Sequence, residues 1–218
     1  MTADALVLHS GGMDSSICLL LARERFGAGR IVSVGFRYGQ RHSSELKAAE
    51  KIASHFGVRR VVIDLPLLPG WEGSSLLSHG LSIQETDDLP NTFVPGRNGL
   101  FIMAAAPLAG MLHAHFMYLG VMEREGAFSG YPDCYRSYID AVEAVVRLDL
   151  RDPTFSIQTP LIDLSKAQTL GIASRFGALD FLLEHTITCY NGLPGRGCGL
   201  CPACRLRRSG EEEFFGVS

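Results

Sequence analysis

The chain has 218 residues, a formal charge of -3, and 46% hydrophobic against 20% charged residues, the composition of one soluble globular unit with a sizeable core. It has no run of Lys or Arg, so nucleic acid is not expected as a partner, because tight non-specific binding needs a basic patch. No segment reaches about 18 unbroken apolar residues and the start, "MTADALVLHS", has no basic leader region, so we expect no membrane span and a cytoplasmic location.

"ALVLHS" (Ala5 to Ser10) is a continuous apolar run, the mark of a buried parallel strand. Residues Asp14 to Phe26 read as a helix with Ile17, Leu20 and Leu21 on one face. "IVSVGFRY" is a second strand, "SSELKAAEKIASHFG" a helix ending at Gly57, and "RRVVIDL" a third strand. This βαβαβ alternation predicts an α/β fold, an open parallel sheet with helices on both faces. The segment from Pro66 to Gly96 breaks the rhythm with Gly, Ser, Pro and Asp clusters, which predicts a loop bordering the active site. A helix is expected from Asn98 to His115, bent at Pro107, then a strand over "FMYLGV". "YRSYIDAVEAVVRL" reads as an amphipathic helix, "FSIQTPL" as a strand or extended segment, and "SKAQTLGIASRFG" as a helix capped by Ser165 and stopped by Gly177. The remainder reads as a short helix and a cysteine-rich tail. We divide the chain into a nucleotide-binding domain with substrate loops (1–185) and a C-terminal zinc element packed on it (186–218).

Ser10-Gly11-Gly12-Met13-Asp14-Ser15-Ser16 falls where the first strand ends and the first helix begins. Glycines there let the backbone approach an anion, and the N–H groups of the first helical turn point at it. The hydroxyls of Ser10, Ser15 and Ser16 add donors. No Gly-Lys-Ser/Thr follows and no G-x-G-x-x-G is present, so neither a Walker loop nor a dinucleotide fingerprint fits. The bland alternative is a glycine turn with capping serines.

Four of the six cysteines, Cys189, Cys198, Cys201 and Cys204, stand at C-x8-C-x2-C-x2-C in "TCYNGLPGRGCGLCPAC". Four thiolates so close in sequence can close a tetrahedral zinc site with no open position, hence a structural one. An iron–sulfur cluster takes the same donors, and the spacing leaves it open. Cys18 reads as core. Cys134, in a polar loop after a strand, suits packing or reactivity equally.

The S-G-G-x-D-S turn resembles the pyrophosphate loop of the ATP pyrophosphatase families. Four further stretches, "YGQRHSSE" (Tyr38 to Glu45), "NTFVPGRN" (Asn91 to Asn98), "SGYPDC" (Ser129 to Cys134) and "TCYNG" leading into "GCGLCPACRLR", follow in the order of the 7-cyano-7-deazaguanine synthase family of the queuosine pathway. The resemblance runs from about Leu6 to Arg207. It implies a Rossmann-like, adenine nucleotide alpha-hydrolase-like sheet, ATP and magnesium, and a structural zinc on the four cysteines. The implied reaction turns 7-carboxy-7-deazaguanine, ammonia and ATP into the nitrile. The implied ATP contacts are His9, Ser10, Gly11, Gly12, Met13, Asp14, Ser15, Ser16, Ile17, Cys18 and Leu19. Lys166, after "TPLIDLS", would approach a phosphate; Asp14, Ser15, Lys166 and Arg97 are the catalytic candidates.

Joining the carboxylate to AMP supplies a leaving group, ammonia displaces AMP to give the amide, and a second activation allows loss of AMP to leave the nitrile. Such catalysis is mostly positioning and charge neutralisation. Arg41 and Arg97 suit phosphate or the substrate carboxylate, or else ordinary salt bridges. Tyr131 and Asp133 suit the deazapurine edge, or else a Tyr-Pro-Asp turn. His42 suits an orienting hydrogen bond. The chain departs from the family in "GVMEREGAFSGYPDC", about two residues longer than usual, and in Tyr135 where the family has arginine. These departures motivate a rival that stops at the amide or joins the acid to another amine, such as a peptide N-terminus. A tRNA-modifying protein and a non-catalytic nucleotide sensor are further rivals. The resemblance and the "EEEFFGVS" tail suggest a homodimer.

Overall fold

The computed structural model describes residues 2–40, 43–66, 73–75, 77, 91–123 and 131–217. Five strands, β1 (Ala5–Leu8), β2 (Ile31–Arg37), β3 (Arg59–Asp64), β4 (Phe116–Tyr118) and β5 (Ser156–Gln158), form one sheet in the order β3-β2-β1-β4-β5. Every neighbouring pair is parallel, as the alternating elements predict. The order reverses at β1, whose two neighbours are β2 and β4. In an open parallel sheet the crevice beyond the strand ends at such a reversal is where ligands bind.

Side-chain alternation along the strands builds two cores. Leu6, Val32, Val34, Met117 and Ile157 face one way and pack with Ile102 of α3 (Arg97–Leu112) and Ile139 of α4 (Arg136–Leu150). Ala5, Val7 and Ile31 face the other way, against Ile17 and Leu19 of α1 (Met13–Phe26) and Ile52 of α2 (Ser44–His55). Leu170 of α5 (Lys166–Arg175) and Leu182 of α6 (Leu179–His185) complete that side. Each fully buried Leu or Ile contributes about 1.5–3 kcal/mol relative to exposure. The middle of α1, Ile17 to Ala22, is apolar all round because the helix is covered on several sides: Met13, Ile17, Cys18, Leu19, Leu20 and Ala22 are all buried. Leu21, expected on its buried face, is only half-buried.

Several boundaries follow the predicted punctuation. Ser165 caps α5 by accepting from the Gln168 N–H, and the Gln168 side chain accepts from the Ser165 N–H, the reciprocal pair that fixes a helix start. Gly57 and Gly177 take positive φ just past α2 and α5. Others move. Helix α3 runs through Pro107 and ends at Leu112, with His113 left-handed, so the expected reach to His115 is too long. Strand β4 stops at Tyr118, short of the predicted "FMYLGV", because the chain must then pass the start of α1. A Cβ added at Gly120 would lie 2.7 Å from the Ser15 nitrogen.

The largest departure is at the C-terminus. The last cysteines lead into a 14-residue helix, α7 (Pro202–Phe215), with Cys201 at its N-cap, Pro202 leading it and Cys204 in its first turn; proline's missing N–H costs nothing there. It packs on α5 so closely that a Cβ at Gly210 would overlap the Lys166 Cβ. Most of the loop expected over Pro66 to Gly96, together with residues 124–130, lies outside the described residues.

Candidate active site

A cavity of about 680 Å³ opens beyond the β1 and β4 ends. Its floor is the turn Ser10 to Ser15, and its walls come from Tyr38 and Glu45, from Arg97 and Asn98 on α3, from Gly120 to Met122, and from Lys166, Thr188 and Tyr190. Helix α7 adds Arg205 and Ser209. The cysteine element therefore forms part of the cavity wall as well as closing the fold.

The turn is held from inside and left open outside. Gly11 sits at φ 92°, and a Cβ there would lie 2.5 Å from the Glu45 carbonyl oxygen, so only glycine lets α2 come this close. The Ser15 hydroxyl donates to the Gly12 carbonyl (3.1 Å) and the Ser16 hydroxyl to the same oxygen (2.8 Å). Ser10 Oγ and Ser15 Oγ are paired at 3.0 Å, and the Ile187 N–H donates to the Gly11 carbonyl (3.0 Å). Gly12 caps α1 without a side chain, so the N–H groups of Met13, Asp14 and Ser15 lead the helix into the cavity with no intrahelical acceptor. An anion fits there.

Below the turn, His9 is buried between Ser33 (Nδ1 to Oγ, 3.0 Å) and Ser16 (Nε2 to Oγ, 3.1 Å). Burial, then the Arg60 charge, pushes its pKa down to about 3, so the ring is neutral at physiological pH. Arg60 donates to the His9 carbonyl (3.1 Å) and to Ser33 Oγ (2.8 Å). The burial that depresses the imidazole also draws Arg60 down, to about 10.

Lys166, the first residue of α5, donates from Nζ to Asp14 Oδ2 at 2.8 Å and also reaches Met122 Sδ at 3.1 Å. Asp14 Oδ1 is buried with no partner among the described residues. A carboxylate oxygen left orphaned beside a phosphate-shaped turn fits a magnesium ion, which takes oxygen donors from one or two carboxylates plus phosphate.

Arg97 opens α3 and is half-buried at the cavity wall. Burial works against its charge, but Tyr38, Asp133, Tyr131 and Tyr190 outweigh it and hold the pKa above the ordinary arginine value. Asp133 is buried, and its Oδ2 accepts from the Asn98 N–H (3.1 Å) while Asn98 Nδ2 donates to the Asp133 carbonyl (3.2 Å). It thus supplies the cap that Gly96 lacks. It is not among the cavity-lining residues, so it reaches the cavity through Arg97 and Asn98. Tyr131 does line the cavity, bonded to the Thr92 hydroxyl and stacked on Phe93 at 5.8 Å. Cys134 lines it too, but burial and then Asp133 push its thiol up to about 12. That favours packing over reactivity.

Of the expected ATP contacts, His9, Ser10, Gly12, Met13, Asp14 and Ser15 reach the cavity. Ser16 acts through His9 and Gly12, Gly11 faces α2, and Ile17, Cys18 and Leu19 are fully buried in the core of α1. Arg41 and His42 lie outside the described residues. Glu45, Thr188 and Tyr190 are among the lining residues that carried no sequence assignment. Glu45 stands in "YGQRHSSE" and Thr188 and Tyr190 in "TCYNG", which was the available signal. Thr188 Oγ1 is buried without a partner among the described residues.

The sulfurs of Cys189, Cys198, Cys201 and Cys204 all lie within 4.8 Å of one another. Thiolates at about 2.3 Å around one tetrahedral zinc would sit roughly 3.8 Å apart, and Cys198 to Cys204 is 3.9 Å. The donor set fits a single metal ion. Gly197, at φ 65°, packs so tightly that a Cβ would lie 2.5 Å from Cys204 Sγ.

Comparisons with known proteins bear on the family and the fold. Residues 4–215 match the family described as queuosine biosynthesis protein QueC. The 7-cyano-7-deazaguanine synthase of Lysinibacillus sphaericus (strain C3-41) is 44% identical over 213 residues, covering 97% of this chain and 95% of that one. The enzyme of the same name from Bacillus subtilis (strain 168) is 43% identical over 212 residues, covering 97% and 94%. Among solved structures, NMN synthetase from Francisella tularensis superposes with a TM-score of 0.57 at 13% identity, covering all of this chain and 79% of that one. The U34-tRNA thiolase NcsA from Methanococcus maripaludis, with its [4Fe-4S] cluster, gives 0.51 at 15%, covering all of this chain and 75% of the other. These two likenesses speak to the fold alone. The near full-length match and the identities above 40% place the chain in the QueC family of queuosine biosynthesis proteins.

Proposed function

We propose that the protein is an ATP-dependent carbon–nitrogen ligase that converts 7-carboxy-7-deazaguanine and ammonia into 7-cyano-7-deazaguanine. The observation that carries this is the Lys166–Asp14 pair beside the open N–H groups of the Ser10 to Ser15 turn, at one end of a cavity large enough for nucleotide and acid together. The names of the relatives supply the reaction.

In this reading the turn amides hold ATP's phosphate chain while Lys166 neutralises charge on the departing pyrophosphate. Magnesium, held at Asp14, would supply further charge neutralisation. Arg97 steers the substrate carboxylate toward the α-phosphate, and Tyr131 and Tyr190 flank the heterocycle. Because these groups are held by the fold before substrate arrives, little reorganisation is needed at the moment of transfer. Zinc is our reading of the metal on Cys189, Cys198, Cys201 and Cys204, where a full set of four thiolates leaves it a structural part.

Among the described residues no helix is long and apolar enough to cross a membrane; the proposed location is the cytoplasm, where ATP and magnesium are at hand. Exposed Met111, Leu148, Phe215 and Val217 support a homodimer, which sedimentation of the purified protein tests. The test of the function is product identity. Purified protein given the acid, ATP and ammonia should yield the nitrile by mass spectrometry. Amide alone would place it with relatives that stop one step earlier, and no turnover of the acid would overturn the reading.

A further inference from the structure

The proposed reaction makes an unusual demand on proton transfer. Ammonia's nitrogen sheds one proton when its lone pair forms the C–N bond and the C–O electron pair leaves with AMP. It sheds another when the amide oxygen takes the second adenylyl group and pyrophosphate departs, and the last when the remaining C–O bond to AMP breaks. All three N–H bonds are lost, so a base beside the reacting carbon has three protons to remove per nitrile.

The carboxylates around the cavity are not equally available. Asp14 is committed to Lys166, and Asp133 to the start of α3. Glu45 lines the cavity from the first turn of α2, and its own carbonyl is wedged against Gly11, so the fold sets it beside the phosphate turn. No hydrogen bond or ion pair among the described residues ties up its side chain. The groups that face it are Tyr38, just past β2, and the Arg97 guanidinium on α3. We propose that Glu45 is the proton acceptor for nitrogen in this site, taking the N–H protons as the amide and then the nitrile form and returning them to solvent through the open cavity.

The environment suits the task. Burial raises the Glu45 carboxyl to about 7 although Arg97 pulls the other way, and a base is most useful when its pKa lies near the working pH. Keeping an acid half-buried at the cavity wall costs stability, and such costs gather at functional sites.

The inference rests on the proposed ligase reading, and the experiment separates the two. Adenylation of the acid removes no proton from nitrogen, so it is followed by acid-dependent exchange of pyrophosphate into ATP without ammonia, alongside nitrile formation with ammonia. In Glu45→Gln, nitrile formation should fall on the order of 10²-fold, with exchange in the wild-type range. Plotted against unprotonated ammonia, wild-type kcat/KM should decline below about pH 7, and the residual activity of the variant should lack that limb. Glu45→Asp, which keeps a carboxyl but withdraws it by one methylene, should fall between the two; it is read in the same way where the glutamine variant does not fold. Nitrile formed by Glu45→Gln at the wild-type rate overturns the proposal, and so does exchange that falls in parallel with nitrile, which would put Glu45 in adenylation or in the fold. Wild type showing neither exchange nor nitrile overturns the ligase reading itself and this inference with it.

Discussion

Lys166 Nζ meets Asp14 Oδ2 at 2.8 Å across 152 positions of sequence, so the starts of α1 and α5 present one charged pair at the edge of the phosphate turn. Lys166→Met should lower acid-dependent pyrophosphate exchange by about 10²-fold, the scale for losing a group placed to stabilise developing charge. Circular dichroism should remain native, since the pair lies at the cavity and not in the core.

Gly210 carries the C-terminal helix against the Lys166 backbone. Alanine in a helix interior is ordinarily better than glycine by about 0.5–1 kcal/mol. Here the added methyl would overlap the Lys166 Cβ, so Gly210→Ala should reverse that sign. Overpacking of this kind costs about 1–3 kcal/mol. We expect a lower Tm and a loss of exchange larger than the change in Tm accounts for, because the same shift moves Nζ away from Asp14. A Tm at or above wild type would show that the two helices can separate freely.

The four cysteines should hold the same helix in place. Cys204→Ser, or treatment with a strong chelator, should lower Tm and slow exchange together, with any bound metal followed by mass spectrometry of the native protein. Metal binding of this type is folding energy, and α7 carries Arg205 and Ser209 to the cavity. Full exchange in metal-free protein would confine the cysteines to a role away from the site.

His9 predicts an acid slope in stability. Its folded pKa, about 3, lies below the ordinary 6.5. Between those values the unfolded chain takes up a proton that the native state refuses, so stability falls as pH falls, by up to about 1.4 kcal/mol per unit. Above 6.5 the residue contributes no slope. Glu45 runs the opposite way, since its folded value of about 7 exceeds its ordinary 4.5 and it loses stability as pH rises through that window. Urea unfolding of wild type and His9→Asn at matched pH values isolates the histidine: the difference between them should shrink steadily from pH 6.5 downward. A constant difference would mean that the ring is protonated in the native state.

Some of this was readable from the order of residues. The β1 run, the glycine pair and the apolar helix behind them lie in one continuous stretch, so the anion turn follows from local backbone preference. The thiolates fall within 16 positions of one another, Cys189 to Cys204, which bounds their separation before any fold is known. Ser165 and Gln168 cap a helix by contacts three residues apart. Periodicity and turn chemistry act over such distances, and there the expectations and the structure agree closely.

The rest depends on approach between distant segments. That Asp14 meets Lys166, that Asp133 serves the start of α3 rather than the cavity, and that α7 supplies a cavity wall all follow from which helices share a sheet face. Glu45 makes the point most sharply: its sequence neighbourhood marks a motif, but its raised pKa comes from burial at the cavity, which outweighs the opposing pull of Arg97. Sequence alone determined the local parts, because hydrogen bonds within a turn and hydrophobic repeats need only neighbours. The tertiary structure decided which charges face one another and how little water lies between them, because burial and Coulomb attraction depend on distance in space.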